Sequence, residues 1–205
     1  MKNPGRNHEN VAFGAHRREV QPQDATSLSF SEFIQLARKI GYEAMCMRAS
    51  LVSIDTPAAT IREMKRQLDS LGLAVSVITG NYEIPHNDER GTDSLRNITP
   101  HLDLADRFHS KMFRVCIKRP DDISWVQKAC DEARERGIDL VHECHPASLF
   151  ETVDGILDVV RQINRPNFGL IYEAASLYNC GDSAPHVAIP MLAPHIRDRS
   201  RRRLW

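Results

Sequence analysis

Residues 140–150, "LVHECHPASLF", place a carboxylate and two imidazoles at the end of an apolar run. In a β-strand, Val141, Glu143 and His145 share one face, because successive side chains alternate between faces. A glutamate in a run that should be buried needs a partner, since an unpaired buried carboxylate is costly. The residue types predict either a metal or catalytic site at Glu143, or a buried ion pair with Arg114 on the neighbouring strand.

A second carboxylate, Glu173, follows the apolar run "FGLIY" on the next predicted strand. Two carboxylates at the ends of adjacent parallel strands would repel each other unless a cation or a shared proton lies between them. His145, two residues beyond Glu143, is a candidate third ligand or substrate contact. Cys144 and Cys180 could lie near the same face, and we interpret both as structural residues.

The elements that must position these groups alternate along the chain. From about residue 28 onward, strand-length apolar runs alternate with amphipathic stretches of helix length, with a repeat of about 30 residues. "NVAFGAH" near the start adds a first strand, which gives about six strands in a parallel α/β sheet. Two architectures fit this order, a doubly wound open sheet and part of a (β/α)8 barrel. No GxGxxG or GxxxxGK[ST] motif supports a nucleotide-binding version of the open sheet.

Helix signals set most of the boundaries. Ser29 and Glu32 have capping-box spacing, and Thr56 is predicted to cap a helix with Pro57 at its first position. Asp121 or Asp122 is the predicted cap of a later helix, because a short acidic side chain before an apolar run is typical of a helix N-cap.

Two further segments are less regular. "SLRNITPHLDLADRFH" has a helical pattern that Pro100 is expected to break or kink. "NFGLIYEAASL" is predicted to be a strand throughout, and "APHVAIPMLAPHI" is predicted to be the final helix despite its prolines.

Polar residues follow the predicted strands at their carboxyl ends, where parallel α/β folds bind ligands. They are His16, Arg48, Asn81, Lys118, Glu143, His145, Glu173 and Ser176. Several have simpler interpretations: Arg48 as a loop ion pair, Asn81 as a turn residue and Lys118 as loop surface. His16 lies in the least regular segment and carries no prediction.

Composition excludes several functions. The 205 residues are 41% hydrophobic and 26% charged, with 27 basic and 27 acidic residues. Zero net charge predicts no general attraction to nucleic acid or anionic lipid. No apolar run approaches the roughly 18 residues of a membrane span, and the first ten residues lack a signal-peptide core. Five dispersed cysteines without a CxxC predict reduced thiols and a cytoplasmic protein.

Four segments together resemble the sugar phosphate isomerase/epimerase group of xylose isomerase-like TIM barrels. They are "FSEFIQLARKIGYEAMCMR", "TIREMKRQLDSLGLAVSVITGNY", "VQKACDEARERGIDLVHECHPASLFET" and "NRPNFGLIYEAASL". The resemblance covers most of residues 28–196 and implies a partial TIM barrel there. Residues 1–27 are then an N-terminal segment with the first strand, and residues 197–205 are a basic irregular tail.

The resemblance implies a divalent metal, either Mn, Mg, Zn or Co, held by four side chains from strands five to eight. Glu143 matches the glutamate of strand five, and Glu173 matches the acidic residue of strand six. The family usually has His or Asn three residues after that acid, where this chain has Ser176. After "MLAPHIRD" the sequence reads "RSRRRLW" instead of strands seven and eight. The expected result is an open sheet edge near Phe168 and self-association through it.

The predicted function is a metal-dependent isomerase or epimerase of a sugar or sugar-phosphate-like substrate. Glu143 is the predicted general base and metal ligand, with Glu173 a second ligand. The predicted substrate contacts are Arg48, Asn81, His145 and Ser176. One alternative is a non-catalytic remnant that lacks a complete metal site. Another is DNA repair of the endonuclease IV type, against which zero net charge and only nine histidines argue.

Overall fold

Six parallel strands form one sheet in the computed structural model. It describes residues 28–49, 51–80, 91–146, 148–182 and 184–197 and, by backbone alone, residues 11–13 and 89–90. The strands are β1 (Val11–Phe13), β2 (Ala44–Met47), β3 (Ala74–Thr79), β4 (Met112–Arg114), β5 (Asp139–Glu143) and β6 (Phe168–Ile171). They lie side by side in chain order, and every neighbouring pair is parallel. The prediction of about six parallel strands in an incomplete barrel-like repeat is confirmed, including the first strand.

Helices connect the strands and cover one face of the sheet. They are α1 (Phe30–Lys39), α2 (Ala58–Ser70), α3 (Asp93–Arg96), α4 (Thr99–Arg107), α5 (Asp122–Glu135), α6 (Val153–Ile163), α7 (Ala174–Asn179) and α8 (Pro185–Leu192). Each crossover carries a helix because two parallel strands cannot be joined by a tight turn. None of these described helices combines the length and hydropathy needed to cross a membrane.

The two faces of the sheet are apolar to different extents. The helix-covered face contributes Ile78, Phe113 and Leu140 to a large buried core shared with the helices. The opposite face, called the inner face below, carries a small cluster of Cys46, Val77, Met112 and Val141, with Ile171 packed against it. Strand alternation separates the two sets. The inner face therefore has little apolar area of its own, and charged side chains can lie beside it.

The helix caps follow the sequence in part. Ser29 and Glu32 form the predicted capping box, in which the Ser29 amide donates to the Glu32 carboxylate at 2.8 Å. Thr56 is wrong as a cap, because α2 begins only after Pro57 and the Thr56 hydroxyl accepts from the Ser53 amide instead. A proline at the cap position lacks a side-chain acceptor, so α2 starts without a side-chain cap.

Asp122 anchors the connection from β4 to α5. The residue before the helix is Asp121, whose side chain makes no capping bond. The Asp122 carboxylate instead accepts from the amides of Lys118 and Arg119 at 3.0 and 2.9 Å. One buried carboxylate thus satisfies two loop N–H groups and holds the loop that leaves the carboxyl end of β4.

Two predicted elements differ from the structure. The helical pattern around Pro100 forms two helices, α3 and α4, and Pro100 lies in the first turn of the second, where a missing N–H costs nothing. The strand predicted through "NFGLIYEAASL" is wrong beyond Ile171, because α7 begins at Ala174. The Glu173 carboxylate caps that helix, and a local cap of this kind outweighs strand propensity.

The outer edge of β6 is partly covered, which corrects the predicted open edge at this position. Ile196 forms a parallel bridge with Leu170, and the Arg197 amide donates to the Leu170 carbonyl at 3.0 Å. The Arg197 guanidinium donates to the carbonyls of Phe168 and Pro166 along the same edge. A residue predicted to belong to an irregular tail therefore satisfies backbone acceptors that an edge strand would expose.

We expect Arg197→Ala to increase self-association of the chain, because it removes the side chain that covers the β6 carbonyls. Light scattering at several protein concentrations measures the effect. Arg161→Ala is the matched control, since Arg161 lies exposed on α6 and pairs with Asp158 at the helix surface. Equal scattering by wild type and both variants would contradict the protective role of Arg197.

Candidate active site at the carboxyl ends of the strands

An ion pair answers the question that Glu143 raises. Glu143 Oε2 lies 2.8 Å from Arg114 Nη1, and only 8% of the arginine side chain and 18% of the glutamate side chain are exposed. Arg114 is paired in register with Val141 on the neighbouring strand, so its side chain lies on the inner face. The ion-pair interpretation of the sequence is confirmed. Among the described residues, the buried Arg114 Nε has no hydrogen-bond partner.

Arg48 lies level with this pair on the inner face. Met47 is in register with Ile78 and Thr79 with Arg114, so the residue after β2 stands at the level of Arg114. The Ala49 amide donates to the Thr79 hydroxyl at 3.1 Å, which fixes the backbone that carries Arg48. Burial lowers the pKa of Arg48, and the positive charge of Arg114 lowers it further. The structure thus brings Arg48, Arg114 and Glu143 together.

Glu173 occupies the predicted strand end but has a partner of its own. It lies two residues beyond Ile171, which is in register with Glu143, so the two glutamates follow adjacent parallel strands. The Glu173 carboxylate accepts from the amides of Ala175 and Ser176 at 3.2 and 2.7 Å. Each carboxylate is therefore stabilised separately, one by a guanidinium and the other by a helix N-terminus.

The remaining predicted contacts are positioned less directly. His145 is half-buried after β5, with its Nδ1 2.7 Å from the Pro146 carbonyl. The Ser148 hydroxyl donates to the His145 carbonyl at 2.6 Å and fixes this loop. Ser176 is half-buried in the first turn of α7. Asn81 and His16 lie outside the described residues.

His142 is a buried polar residue for which the sequence predicted no role. Its exposure is 1%, its Nδ1 lies 2.9 Å from the Val115 carbonyl, and its ring meets Phe150 edge-on with centroids 4.5 Å apart. Burial lowers its pKa to about 3. The signal was available in the sequence, because His142 alternates with Glu143 and must face the helices. It is a neutral core residue and not part of the inner-face site.

Burial disfavours the thiolate form of two cysteines, Cys130 and Cys144. All five thiols are free of disulfides. Burial raises the pKa of Cys144 to about 11 and that of Cys130 to about 12, so neither forms a thiolate at neutral pH. The structural interpretation of Cys144 fits this burial.

The described side chains that could bind a metal ion are His, Cys, Asp and Glu. Among the described residues, no three His, Cys, Asp or Glu side chains are grouped closely enough to hold a metal ion. The Glu143 carboxylate is bound to Arg114, and the Glu173 carboxylate is bound to the α7 backbone. These residues alone do not fit the four-ligand centre that the family resemblance implies.

Comparison with known proteins identifies the family. A sequence model of the xylose isomerase-like TIM barrel matches residues 34–199. The chain belongs to this family. The family includes sugar epimerases and isomerases. No curated protein sequence matches the chain.

Solved structures of the family share the fold. The probable 3-DHS dehydratase AsbF from Bacillus anthracis is 16% identical, with a TM-score of 0.68 over 83% of this chain and 66% of that one. A xylose isomerase-like TIM barrel protein from Mycobacterium smegmatis in complex with magnesium is 18% identical, with a TM-score of 0.66 over 82% and 65%. D-psicose 3-epimerase with D-tagatose from Clostridium cellulolyticum H10 is 14% identical, with a TM-score of 0.66 over 83% and 66%.

The chain thus spans slightly less than two thirds of the length of each of these three relatives. At identities this low, the likeness establishes the fold and not the reaction. Relatives of one fold can differ in the chemistry that their strand ends carry out. The reaction depends on the inner-face residues and not on the fold.

We expect Glu143→Gln and Arg114→Met each to lower the free energy of unfolding by roughly 3 kcal/mol, since either change leaves the other charge buried without its partner. The double variant should lose much less than the sum of the two. Urea unfolding of all four proteins measures the coupling. The exposed pair Asp158 and Arg161 is the control cycle, with an expected coupling below about 0.5 kcal/mol. Additive losses at Arg114 and Glu143 would contradict a direct pair.

Proposed function

We propose that this chain carries the proton-transfer residue of a sugar isomerase, with Glu143 as the general base. The observation that carries the proposal is the Arg114–Glu143 pair at the carboxyl end of the sheet. A carboxylate held 2.8 Å from a guanidinium is fixed in position and remains available as a base on its second oxygen. Membership of a family that includes sugar isomerases and epimerases supports the same chemistry.

The chemistry is an exchange of a carbon-bound proton between neighbouring carbons. Glu143 removes the proton from the carbon next to a carbonyl, the C–H electron pair forms a C=C bond, and the carbonyl π pair moves to oxygen. A proton then passes from the neighbouring hydroxyl to that oxygen. The protonated Glu143 returns its proton to the former carbonyl carbon, and a new carbonyl forms. Isomerisation needs only this one base, whereas epimerisation also needs a proton donor on the opposite face of the carbon.

The guanidinium groups would stabilise the intermediate. Negative charge develops on the carbonyl oxygen during proton removal, and donors fixed beside that oxygen lower the barrier. Arg114 and Arg48 stand at the same level of the inner face. His145 and Ser176 lie beyond the ends of β5 and β6, where sugar hydroxyls would be bound. Asn81 remains a predicted contact from the sequence alone.

A divalent metal is a further prediction for this chain, with Glu143 and Glu173 as ligands. It has less support than the base, because both carboxylates already have partners among the described residues. The alternative function is sugar binding without turnover. It is favoured by the same ion pair, since Arg114 already occupies one oxygen of the Glu143 carboxylate.

The base is tested by solvent exchange. The 205-residue chain is incubated in deuterated water with a panel of aldoses and ketoses, and proton NMR follows loss of the signal at the carbon next to the carbonyl. We expect exchange by wild type and a loss of about 10²-fold or more in Glu143→Gln, because the amide cannot accept the proton. Glu135→Gln, exposed on α5, is the control and should exchange like wild type. Sugar binding without exchange in wild type would favour the non-catalytic alternative.

Metal binding is tested separately by calorimetry with manganese. We expect weak binding that disappears in Glu143→Gln and strengthens in Arg114→Met, because the guanidinium competes with the metal for the Glu143 carboxylate. Glu135→Gln again serves as the control. Tight binding that Glu143→Gln leaves unchanged would place any metal site elsewhere in the chain.

A further inference from the structure

Two guanidinium groups, those of Arg48 and Arg114, lie beside Glu143 on the inner face. Arg114 is 7% exposed and pairs with Glu143, while its Nε has no partner. The half-buried Arg48 side chain makes no hydrogen bond or ion pair with any described residue. Buried or half-buried arginines are normally paired, because desolvating a guanidinium is costly. Within the described part of the chain, the Arg48 guanidinium and the Arg114 Nε therefore have no acceptor.

The backbone holds both arginines in place. The Thr79 hydroxyl accepts from the Ala49 amide, which fixes the turn directly after Arg48. On the other side, the Gly80 amide donates to the Arg114 carbonyl at 2.9 Å, which ties the end of β3 to β4. Gly80 packs against the Phe113 ring so closely that a Cβ atom would lie 2.6 Å from it. The backbone of both arginines is thus held, and the Arg114 guanidinium is also held by Glu143.

Electrostatics point to the sign of the missing ligand. Burial and the nearby positive charge of Arg114 lower the pKa of Arg48, and Cys46 and Glu143 act in the opposite direction. Both guanidinium groups share the single carboxylate of Glu143, while the Glu173 carboxylate at the next strand end is bound to the α7 backbone. An anion placed here gains attraction from Arg48 and Arg114 and supplies the missing acceptors. A neutral sugar supplies only weaker acceptors.

We infer that the inner face binds a small anionic sugar derivative, whose carboxylate or phosphate oxygens accept hydrogen bonds from Arg48 and Arg114. The sugar part of this ligand rests on the proposed function, whereas the anion site itself requires no turnover. A guanidinium has a planar set of donors that matches the oxygens of either group. The anion would lie beside Glu143, which places the neighbouring carbons of the ligand within reach of the base.

Another cationic surface is a weaker candidate. Arg62, Lys65, Arg66 and Arg107 line a groove between α2 and α4. Lys65 and Arg66 already pair with Asp69 and Glu63 on the same helix, and Arg62 and Arg107 are exposed. Solvated charges of this kind bind anions weakly. The inner face differs because its cations are desolvated and incompletely paired.

The test compares four probes on the full chain by NMR titration: inorganic phosphate, gluconate, glucose 6-phosphate and glucose. We expect gluconate or glucose 6-phosphate to bind at least about tenfold more tightly than glucose. Arg48→Gln should remove that difference, and Arg48→Lys should restore part of it. Arg62→Gln, which removes an exposed cation from α2, is the matched control and should bind like wild type. Circular dichroism establishes that each variant is folded.

The results separate the two sources of the anion. Preference for gluconate assigns a carboxylate, and preference for glucose 6-phosphate with competition by inorganic phosphate assigns a phosphate. Equal binding of glucose and the anions, or anion binding that Arg48→Gln and Arg62→Gln reduce equally, overturns the inference. Anion binding without deuterium exchange supports this site and contradicts the isomerase, whereas exchange of neutral sugars that Arg48→Gln leaves unchanged does the reverse.

Discussion

The buried pair of Arg114 and Glu143 governs how the inner face of the sheet can be used. Parallel strands bring their carboxyl ends to one edge, and here that edge carries charges beside a very small apolar cluster. A glutamate in this position is stable only because a guanidinium on the adjacent strand lies 2.8 Å away. The register of β4 and β5 makes this contact possible, since it places Arg114 beside Val141, and Glu143 follows Val141 by two residues on the same face. The geometry of the site therefore depends on the register of the sheet.

The sequence predicted the need for a partner at Glu143 but could not choose the partner. Strand alternation was sufficient to place Glu143 on the inner face and His142 among the helices. The choice between Arg114 and a metal depends on side-chain rotamers, and a metal ligand and an ion-paired glutamate have the same pattern in sequence. Glu173 shows a different limit. "FGLIYEAASL" reads as a continuous apolar strand, yet the capping of α7 by the Glu173 carboxylate ends the strand at Ile171.

Longer elements were easier to predict than their boundaries. The alternation of apolar runs was strong enough to predict six strands in order, because each strand is buried by its crossover helix. The start of α2 after Pro57 was missed because Thr56 satisfies a local turn with its hydroxyl instead of the helix. The contact at the β6 edge was missed for a related reason. Arg197 lies in a run of positive charges, and only the absence of a side chain at Gly169 lets it pack there.

The arginine that covers the sheet edge and the arginines of the inner face differ in how their donors are paired. At β6, the guanidinium and the amide of Arg197 both donate to backbone carbonyls of the edge. On the inner face, Arg48 and Arg114 retain donors that no described residue accepts, which is a cost to folding without a ligand. The two guanidinium groups beside Glu143 oppose a divalent cation there and favour an anion in the same space. The arrangement of charges around Glu143 therefore suits an anionic sugar better than it suits a metal ion held by Glu143 alone.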